Sequence, residues 1–589
     1  MKKVSFVLFI FILALFSSCK GDVIIDKGGG NGGVTLSADS DTEFDYGSRI
    51  VFPELTQQLV ANLDLLGKVW GLLKYHHPYV QHGLRNWDYE LFRILPQYLT
   101  VENNQERDQT LLNWINKYGG ITICTTCRES PFDAYIKPNL LWAEESDMSD
   151  ALIEKIKEVY NNRYQVNHYY IRINPSVGNP QFIRENPYSN MPYPDAGFRL
   201  LALFRYWNMV HYFFPSTYLT DKNWEDVLEE YIPIFLSATN KLEYELATIQ
   251  VIGEINDTHA SGLGGGTAIA ELKGSRYAPI RVWFIEGKLV VTDYYDWRLK
   301  EAVGIEIGDV ITHINGESVD FIVDSLRKYY PASNEASRLR NISFDLLRSN
   351  NSTISVDYYS SGSSGRRDIQ MYTRYQLNDW YGTYKVNPNE KCYKFLEWGI
   401  GYITMATIQD GDVPVIRELF EQTKGIIIDI RNYPSAHVPY TLGSFFVSNV
   451  VPFVKFTVGN AHHPGEFSFS TPYTIPGTGN TFHGKLIVIV NEVSQSNAEF
   501  QAMAFRAGMN TIVIGSTTAG ADGNVSEIWL PGGLRTVISG IGVYYPDGRQ
   551  TQRIGIVPDI WIEPTIEGIR EGRDELLEMA IKIINEDSG

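Results

Sequence analysis

The sequence has no excess of basic residues, and this narrows the functions it can have. Its 589 residues include 51 lysines and arginines against 69 aspartates and glutamates, and the formal net charge is −18. A chain of this sign repels phosphate backbones, so we expect no nucleic-acid partner. The hydrophobic share of 44% is near the globular average, and the length fits about three domains.

Long apolar runs are also scarce, and the most notable one lies at the N-terminus. Two lysines precede 13 mostly apolar residues, 4–16, a length that suits a signal peptide and is too short to span a bilayer. Small residues then precede Cys19, as in bacterial lipoprotein processing sites. We therefore predict a signal peptide over residues 1–18 and lipidation of Cys19. The chain would be exported and anchored by this lipid in the bacterial cell envelope, at the outer membrane or the periplasmic face.

Cysteine is rare as well, with four residues in the whole chain. Cys124 and Cys127 are separated by two threonines, and a local disulfide is the simplest interpretation in an oxidising envelope. A redox pair would lack the strand-to-helix context of thioredoxin sites. A zinc site would need a second pair of ligands, which we do not find. The sequence therefore predicts neither a metal site nor a cofactor.

The N-terminal half contains an internal duplication. After a predicted flexible tether over residues 19–45, residues 66–78 resemble residues 204–215, and four landmarks share an offset of 137 residues. Apolar residues recur at helical spacing in both copies, so each is predicted to be a helical hairpin within a helical region over residues 46–270. The paired landmarks are Trp70 and Trp207, Pro78 and Pro215, Trp87 and Trp224, and Pro96 and Pro233.

The next region, residues 277–375, consists of short β-rich runs. One apolar strand ends in Asn315-Gly316, a tight-turn signal. The stretch 302–317 resembles the corresponding part of PDZ domains. The resemblance implies a module that docks an extended polypeptide, often a C-terminus, as an added strand. A simple spacer is the alternative.

Residues 385–589 alternate between continuously apolar strands and helices, a pattern typical of a largely parallel sheet that is buried on both faces. The chain is thus predicted to be an α/β multidomain protein: a helical N-terminal region, a PDZ-like β-rich domain and a C-terminal α/β domain. In such sheets chemistry gathers at the carboxyl ends of the strands.

Ser496 lies just after one of these strands, at the start of a predicted helix. Backbone N–H groups at a helix N-terminus can stabilise negative charge, so Ser496 is a candidate nucleophile. The alternative is structural, because Ser496 and Glu499 also have the spacing of a capping box.

Three segments favour the catalytic interpretation. Residues 494–499, 514–523 and 555–559 resemble the tail-specific serine peptidases of family S41, and the three regions follow that family's order. In that family the serine corresponding to Ser496 is the nucleophile. The resemblance therefore implies a serine-type peptidase that acts on polypeptides.

The resemblance also implies a base. One branch of the family pairs its serine with a later lysine, but no lysine lies between Ser496 and the C-terminal helices. The tricorn-like branch instead uses a histidine from a short motif resembling Asp257-Thr258-His259. His259 would accept the serine proton and return it to the leaving amine.

The third member of the triad departs from the family. Gln552 stands where tricorn-like enzymes have a glutamate. A neutral amide can orient the imidazole but cannot stabilise its positive charge, and Asp522 or Asp257 could substitute for it.

The loop that holds the oxyanion departs as well. Pro434 has no N–H group, so the predicted donors are Asn497 and, on the loop, Ser435 or a neighbour. The sequence thus predicts a serine endopeptidase of the cell envelope with Ser496 and His259 at its centre. The main alternative is a catalytically inactive lipoprotein that binds peptides, and a thiol redox protein is the third possibility.

Overall fold

The computed structural model describes residues 37–479 and 481–586. The predicted signal peptide, the lipidation site Cys19 and most of the predicted tether lie outside the described residues. The last part of that tether packs against the helices, because the Phe44 ring contacts Tyr89 and Phe92 edge-on. Phe44 of the predicted tether is therefore part of the packed structure. None of the helices within the described ranges is long and apolar enough to cross a membrane.

The N-terminal region is predominantly helical, as predicted, and one short antiparallel strand pair accompanies the helices. The helices are α1 (Gln57–His76), α2 (Pro78–Gln81), α3 (Trp87–Tyr98), α4 (Asn104–Asn116), α5 (Leu141–Glu144), α6 (Asp150–Asn161), α7 (Ala196–Phe213), α8 (Trp224–Ser237), α9 (Lys241–Gly253) and α10 (Thr267–Lys273); the strands are β1 (Ile171–Ile173) and β2 (Pro180–Phe182).

The duplication is confirmed by matching hydrogen bonds in the two hairpins. In the first copy, the Trp70 indole donates to the Trp87 carbonyl at 3.0 Å, and the Trp87 indole donates to the Trp70 carbonyl at 2.9 Å. The second copy has the same reciprocal pair between Trp207 and Trp224, at 2.8 and 3.2 Å. Each tryptophan pair therefore ties together the two helices of its hairpin and satisfies two carbonyls.

The repeat also includes a third helix in each copy. Helices α4 and α9 begin after Asn103 and Asn240, which are again 137 residues apart, and both asparagines cap the helix through their side chains. Beyond the helix, the second copy continues to His259, whereas the first copy has Thr122 at that offset.

The β-rich region forms an antiparallel sheet in the order β10-β9-β6-β5-β4, with β7 beside β6 and a separate β3–β8 pair. Its strands are β3 (Arg276–Tyr277), β4 (Ile280–Ile285), β5 (Lys288–Tyr294), β6 (Val310–Ile314), β7 (Glu317–Ser318), β8 (Arg348–Ser349), β9 (Thr353–Ser360) and β10 (Ser363–Gln370); its helices are α11 (Lys300–Val303), α12 (Val319–Leu326) and α13 (Glu335–Leu346).

The C-terminal region contains the largely parallel sheet, in the order β11-β12-β13-β17-β18-β22, in which only the pairing of β11 with β12 is antiparallel. The strands are β11 (Tyr393–Leu396), β12 (Ile400–Thr404), β13 (Gly425–Asp429), β14 (Val451–Gly459), β15 (Phe467–Phe469), β16 (Tyr473–Ile475), β17 (Lys485–Val490), β18 (Thr511–Gly515), β19 (Val525–Leu530), β20 (Leu534–Ser539), β21 (Val543–Tyr544) and β22 (Ile560–Trp561); the helices are α14 (Asp412–Phe420), α15 (Asn497–Arg506), α16 (Ile566–Glu571) and α17 (Glu575–Glu586).

One hairpin of the C-terminal region packs into the helical region. Four apolar side chains of the β19–β20 hairpin are buried in the helical core, which removes them from water and fixes the hairpin against the helices. As a result, the end of β20 lies beside the turn that carries His259. The buried side chains are Ile528, Leu530, Leu534 and Ile538.

The reciprocal tryptophan pairs generate the first prediction. Trp70→Phe and Trp207→Phe each remove a buried hydrogen bond between two helices and leave a gap where the indole ring was, so we expect each to lower the free energy of unfolding by about 1–3 kcal/mol. Urea unfolding followed by circular dichroism measures the loss. Trp561→Phe, at a side chain that is 59% exposed, is the matched control. Equal unfolding midpoints for all three variants would contradict the structural role.

Candidate active site

Ser496 lies between β17 and α15 in a strained backbone conformation. Its φ is 57°, in the left-handed region that non-glycine residues rarely adopt. Such a conformation costs about 1–3 kcal/mol and persists only where surrounding contacts enforce it. Here the Ser496 N–H donates to the Ala521 carbonyl at 2.9 Å and to the Glu499 carboxylate at 3.1 Å.

The Glu499 half of the capping box is also present, since the Glu499 carboxylate accepts the Ser496 N–H. The structural interpretation of Ser496 is therefore correct as far as it goes, and it does not exclude a catalytic one. A helix cap needs no strained φ, because capping residues ordinarily adopt extended backbone angles. The left-handed backbone at Ser496 thus calls for a further explanation.

His259 lies on a short 3-10 turn, and its side chain is only 8% exposed. Its Nδ1 is 2.8 Å from the Ser539 hydroxyl, which is itself 3.0 Å from the Asp257 carboxylate. The carboxylate only accepts, so the Ser539 hydroxyl uses its single proton there and accepts from Nδ1–H. Nε2 is then the unprotonated nitrogen. It is buried and has no partner among the described residues.

Asp257 is held rigidly in this arrangement. Its side chain is fully buried and accepts the Ser539 N–H at 2.7 Å and the His259 N–H at 3.0 Å. Burial lowers the pKa of His259 from its ordinary value, and the Asp257 charge opposes this shift. The imidazole is therefore neutral at physiological pH, with its free lone pair on Nε2.

The turn that carries Ser496, here called the nucleophile turn, and the turn that carries His259, the histidine turn, are joined through the loop 518–521. Ser496 donates to the carbonyl of Ala521, and the Thr258 hydroxyl donates to the carbonyl of Ala519 at 3.0 Å. The structure thus brings both turns to one loop, although they are far apart in the chain. Within the part of the chain that the structure describes, no hydrogen bond joins Ser496 directly to His259.

Gln552 does not orient the imidazole as predicted. It is buried, and its amide nitrogen has no partner within the described part of the chain, while Nδ1 of His259 is occupied by Ser539. Asp522 is buried as well and accepts the Gly523 N–H, and both burial and the nearby Glu499 charge raise its pKa well above the usual range. Of the alternatives for the third group, the structure brings Asp257 to the histidine.

Ser539 was missed by the sequence analysis. It lies 280 residues from His259, at the end of a hairpin whose position depends on long-range packing. No motif or spacing indicates it.

Ser435, a predicted donor to the oxyanion, already donates its N–H and its hydroxyl proton to other groups. Its N–H donates to the Met405 carbonyl at 3.0 Å, and its hydroxyl donates to the Ile408 carbonyl. The neighbouring amides of Ala436 and His437 donate no hydrogen bond within the described ranges. A neighbour of Ser435, which the sequence analysis also allowed, is thus the available donor on this loop.

The other predicted donor, the Asn497 amide, is the first of helix α15 and has no partner within the helix. Its side-chain oxygen is 2.8 Å from Nδ1 of His437, whose ring stacks on Phe500. The Gln501 side-chain amide donates to the Ala436 carbonyl at 2.9 Å. These contacts hold the loop beside the first turns of α15.

The β-rich region also touches the nucleophile turn. The Trp283 indole donates to the Glu492 carboxylate at 2.7 Å. Arg340 donates to the Glu492 carbonyl at 2.7 Å and to the Gln495 side chain at 3.0 Å. The residues just before Ser496 are therefore held from outside their own domain.

Two further predictions concern the cysteines and a metal site. Cys124 and Cys127 form the predicted local disulfide. Within the described residues, no group of three or more His, Cys, Asp or Glu side chains is arranged to hold a metal ion.

Comparison with known proteins supports a serine-type peptidase. Residues 399–562 match the model of peptidase family S41. No curated protein is similar enough to match the chain.

Solved structures show a related fold. Mature CPAF and mature CPAF complexed with lactacystin are 15% and 14% identical to the chain, each with a TM-score of 0.51, and the similarity covers 67% and 66% of this chain and 99% of each of them. At this identity they show a shared fold. The photosystem II D1 C-terminal processing protease is 16% identical over 64% of this chain and 98% of its own, with a TM-score of 0.37, too low to support an argument.

The second prediction concerns the protonation of His259. We expect the Nδ1–H form at pH 7, because Ser539 accepts that proton, and we expect the pKa of the ring to lie below the ordinary histidine value, because burial lowers it. Nitrogen shifts of the histidine-labelled protein, assigned with His259→Gln, measure both. A proton on Nε2 at pH 7, or a pKa at or above the ordinary histidine value, would show that the assignment is wrong.

Proposed function

We propose that this chain cleaves polypeptides through an acyl-enzyme on Ser496, because residues 399–562 match the model of peptidase family S41. The observation that supports this most is the Asp257–Ser539–His259 chain of hydrogen bonds. It places the single ring proton on Nδ1 while burial favours the neutral imidazole, so Nε2 is unprotonated and has no other partner among the described residues. That is the state a general base needs.

The reaction proceeds in two stages. The Ser496 oxygen attacks the peptide carbonyl while Nε2 of His259 takes the hydroxyl proton, and the carbon–nitrogen bond then breaks as Nε2 gives that proton to the leaving amine. Water attacks the ester in the second stage, and His259 again takes and returns the proton. The Ser496 hydroxyl is regenerated, and a carboxylic acid leaves.

Charge develops at two places, and the structure has a group near each. The imidazolium is stabilised by the Asp257 carboxylate, whose oxygen is 3.7 Å from Nδ1 and which also acts through the Ser539 hydroxyl. The carbonyl oxygen becomes negative, and the Asn497 amide at the start of α15 is the donor we assign to it, together with an amide beside Ser435. Ser539 and Asp257 are thus positioning residues that act through His259.

The alternative function is an inactive peptide-binding protein. Two observations favour it: no direct hydrogen bond joins Ser496 to His259 within the described residues, and the Ser435 amide is occupied by Met405. The two functions differ in one measurable property, the reactivity of Ser496. A catalytic serine reacts with an electrophilic fluorophosphonate, whereas an unactivated one does not.

The third prediction is therefore covalent labelling. We expect the wild type to react with a fluorophosphonate probe, Ser496→Ala to be unlabelled, and His259→Ala to react about 10²–10⁴-fold more slowly, since the base is lost. Asp257→Asn should slow labelling as well, because it removes the charge behind the imidazole.

Matched controls come from the same domain. Ser448→Ala and His483→Ala change a serine and a histidine outside the site, and we expect wild-type labelling rates from both. A folded wild type that does not react would favour the inactive peptide-binding protein, as would equal reaction of Ser496→Ala.

The peptide-docking role of residues 277–375 stays a prediction. It is supported by the contacts of Trp283 and Arg340 with the residues just before Ser496, through which this region adjoins the reacting centre. An extended polypeptide would add to an edge of its sheet.

We also propose that the protein is exported and held in the bacterial cell envelope by a lipid on Cys19. The fourth prediction follows, because removing the acceptor thiol removes the anchor: Cys19→Ser should move the protein from the membrane fraction to the soluble fraction. Immunoblots of fractionated cells measure this. Cys392→Ser, at a buried thiol, should stay in the membrane fraction. Equal membrane association of both variants would contradict lipidation.

A further inference from the structure

Glu499 is a fully buried carboxylate that accepts four hydrogen bonds. One oxygen accepts from the Thr518 hydroxyl and the Gly520 amide, and the other accepts from the Ser496 and Ala521 amides. The four distances are 2.5, 2.8, 3.1 and 3.1 Å in that order.

These contacts exceed what a capping box requires. A capping glutamate accepts one bond, from the residue at the start of the helix, and that residue is Ser496. The other three donors belong to the loop 518–521, which lies after the next strand of the sheet. Glu499 therefore joins the nucleophile turn to a second segment, and a buried carboxylate with four donors is well satisfied.

The same loop holds the histidine turn. The Ala519 carbonyl accepts from the Thr258 hydroxyl at 3.0 Å, and Thr258 directly precedes His259. Ser333 reinforces this attachment, because its hydroxyl accepts the Thr258 N–H at 2.8 Å. A continuous route of hydrogen bonds thus leads from the Ser496 amide through Glu499 and the loop to the residue beside the base.

We propose that Glu499 is a positioning residue that sets the placement of Ser496 relative to His259 by holding the loop 518–521 against the nucleophile turn. The inference rests on the proposed function, since it concerns the geometry of that reaction. Glu499 acts through its neighbours and has no direct contact with the peptide or with the imidazole in this arrangement.

Glu499→Gln tests the role with little change of shape. The amide side chain keeps one acceptor oxygen but turns an NH₂ group toward two of the four donors, so those contacts become repulsive. The loop and the Ser496 turn should then separate slightly. A misplacement of about 1 Å in a reacting group can cost about 10²-fold in rate.

The experiment measures fluorophosphonate labelling, peptide hydrolysis and thermal melting of the full chain. We expect Glu499→Gln to lower the labelling rate and kcat by about 10²-fold while KM changes little, because the contact acts on the reacting atoms and not on substrate binding. Glu527→Gln, an exposed glutamate of the β19–β20 hairpin, is the matched control and should behave as wild type.

The outcomes separate this inference from the proposed function. If the wild type is unreactive, both the proposed function and the positioning role of Glu499 are overturned. If the wild type reacts and folded Glu499→Gln reacts at the same rate, only the positioning role is overturned. A rise in KM with an unchanged kcat would overturn it as well, since that result indicates a role in binding.

A second pair of variants decides the matter if Glu499→Gln does not fold. Thr518→Val removes one of the four donors, whereas Thr518→Ser keeps the hydroxyl. We expect the valine variant to lose labelling rate and kcat by about tenfold and the serine variant to recover most of this loss. Equal rates for the two variants would overturn the inference.

Discussion

The loop 518–521 is the constraint on which the rest of the site depends. Its four residues are buried, so their backbone groups must find partners within the protein, at a cost of about 1–3 kcal/mol for each that does not. Each of the three regions supplies a hydrogen-bond partner for this loop: Thr258 from the helical region, Asn334 from the β-rich region, and Glu499 from the C-terminal region. Satisfying one short loop therefore fixes three regions relative to one another, and the nucleophile and base turns with them.

The internal duplication and the β19–β20 hairpin explain why the two copies have different surroundings. Both copies build the same tryptophan-linked hairpin, so the scaffold alone does not require a histidine. The second copy differs because the hairpin of the C-terminal region packs on the helical core and ends at Ser539, beside His259. A turn of the helical repeat thereby meets Ser539 from the C-terminal region, whose hydroxyl links the His259 imidazole to the buried Asp257 carboxylate of the same turn.

Two predicted site residues, Gln552 and Ser435, have partners or positions other than those predicted, and other groups lie in their place. An imidazole that serves as a base needs a partner on Nδ1, and Ser539 with Asp257 meets this need where Gln552 does not. The Ser435 amide is not available to an oxyanion, because it donates to the Met405 carbonyl. The next two amides, of Ala436 and His437, donate no hydrogen bond within the described residues. Function here depends on which donors and acceptors remain unpaired once the fold has satisfied the others.

The sequence by itself determined the order of the regions, the duplication and the parallel strands, and it predicted Ser496 and His259 as nucleophile and base. Each of these has a local signal: apolar periodicity, a repeated offset, or a short motif. Only the tertiary structure decided that Ser539 and not Gln552 contacts the histidine, that the Ser435 amide is occupied, and that Glu499 binds a second loop. The reason is that these contacts join residues as far as 280 positions apart, and their existence depends on which buried polar groups packing brings within hydrogen-bonding distance.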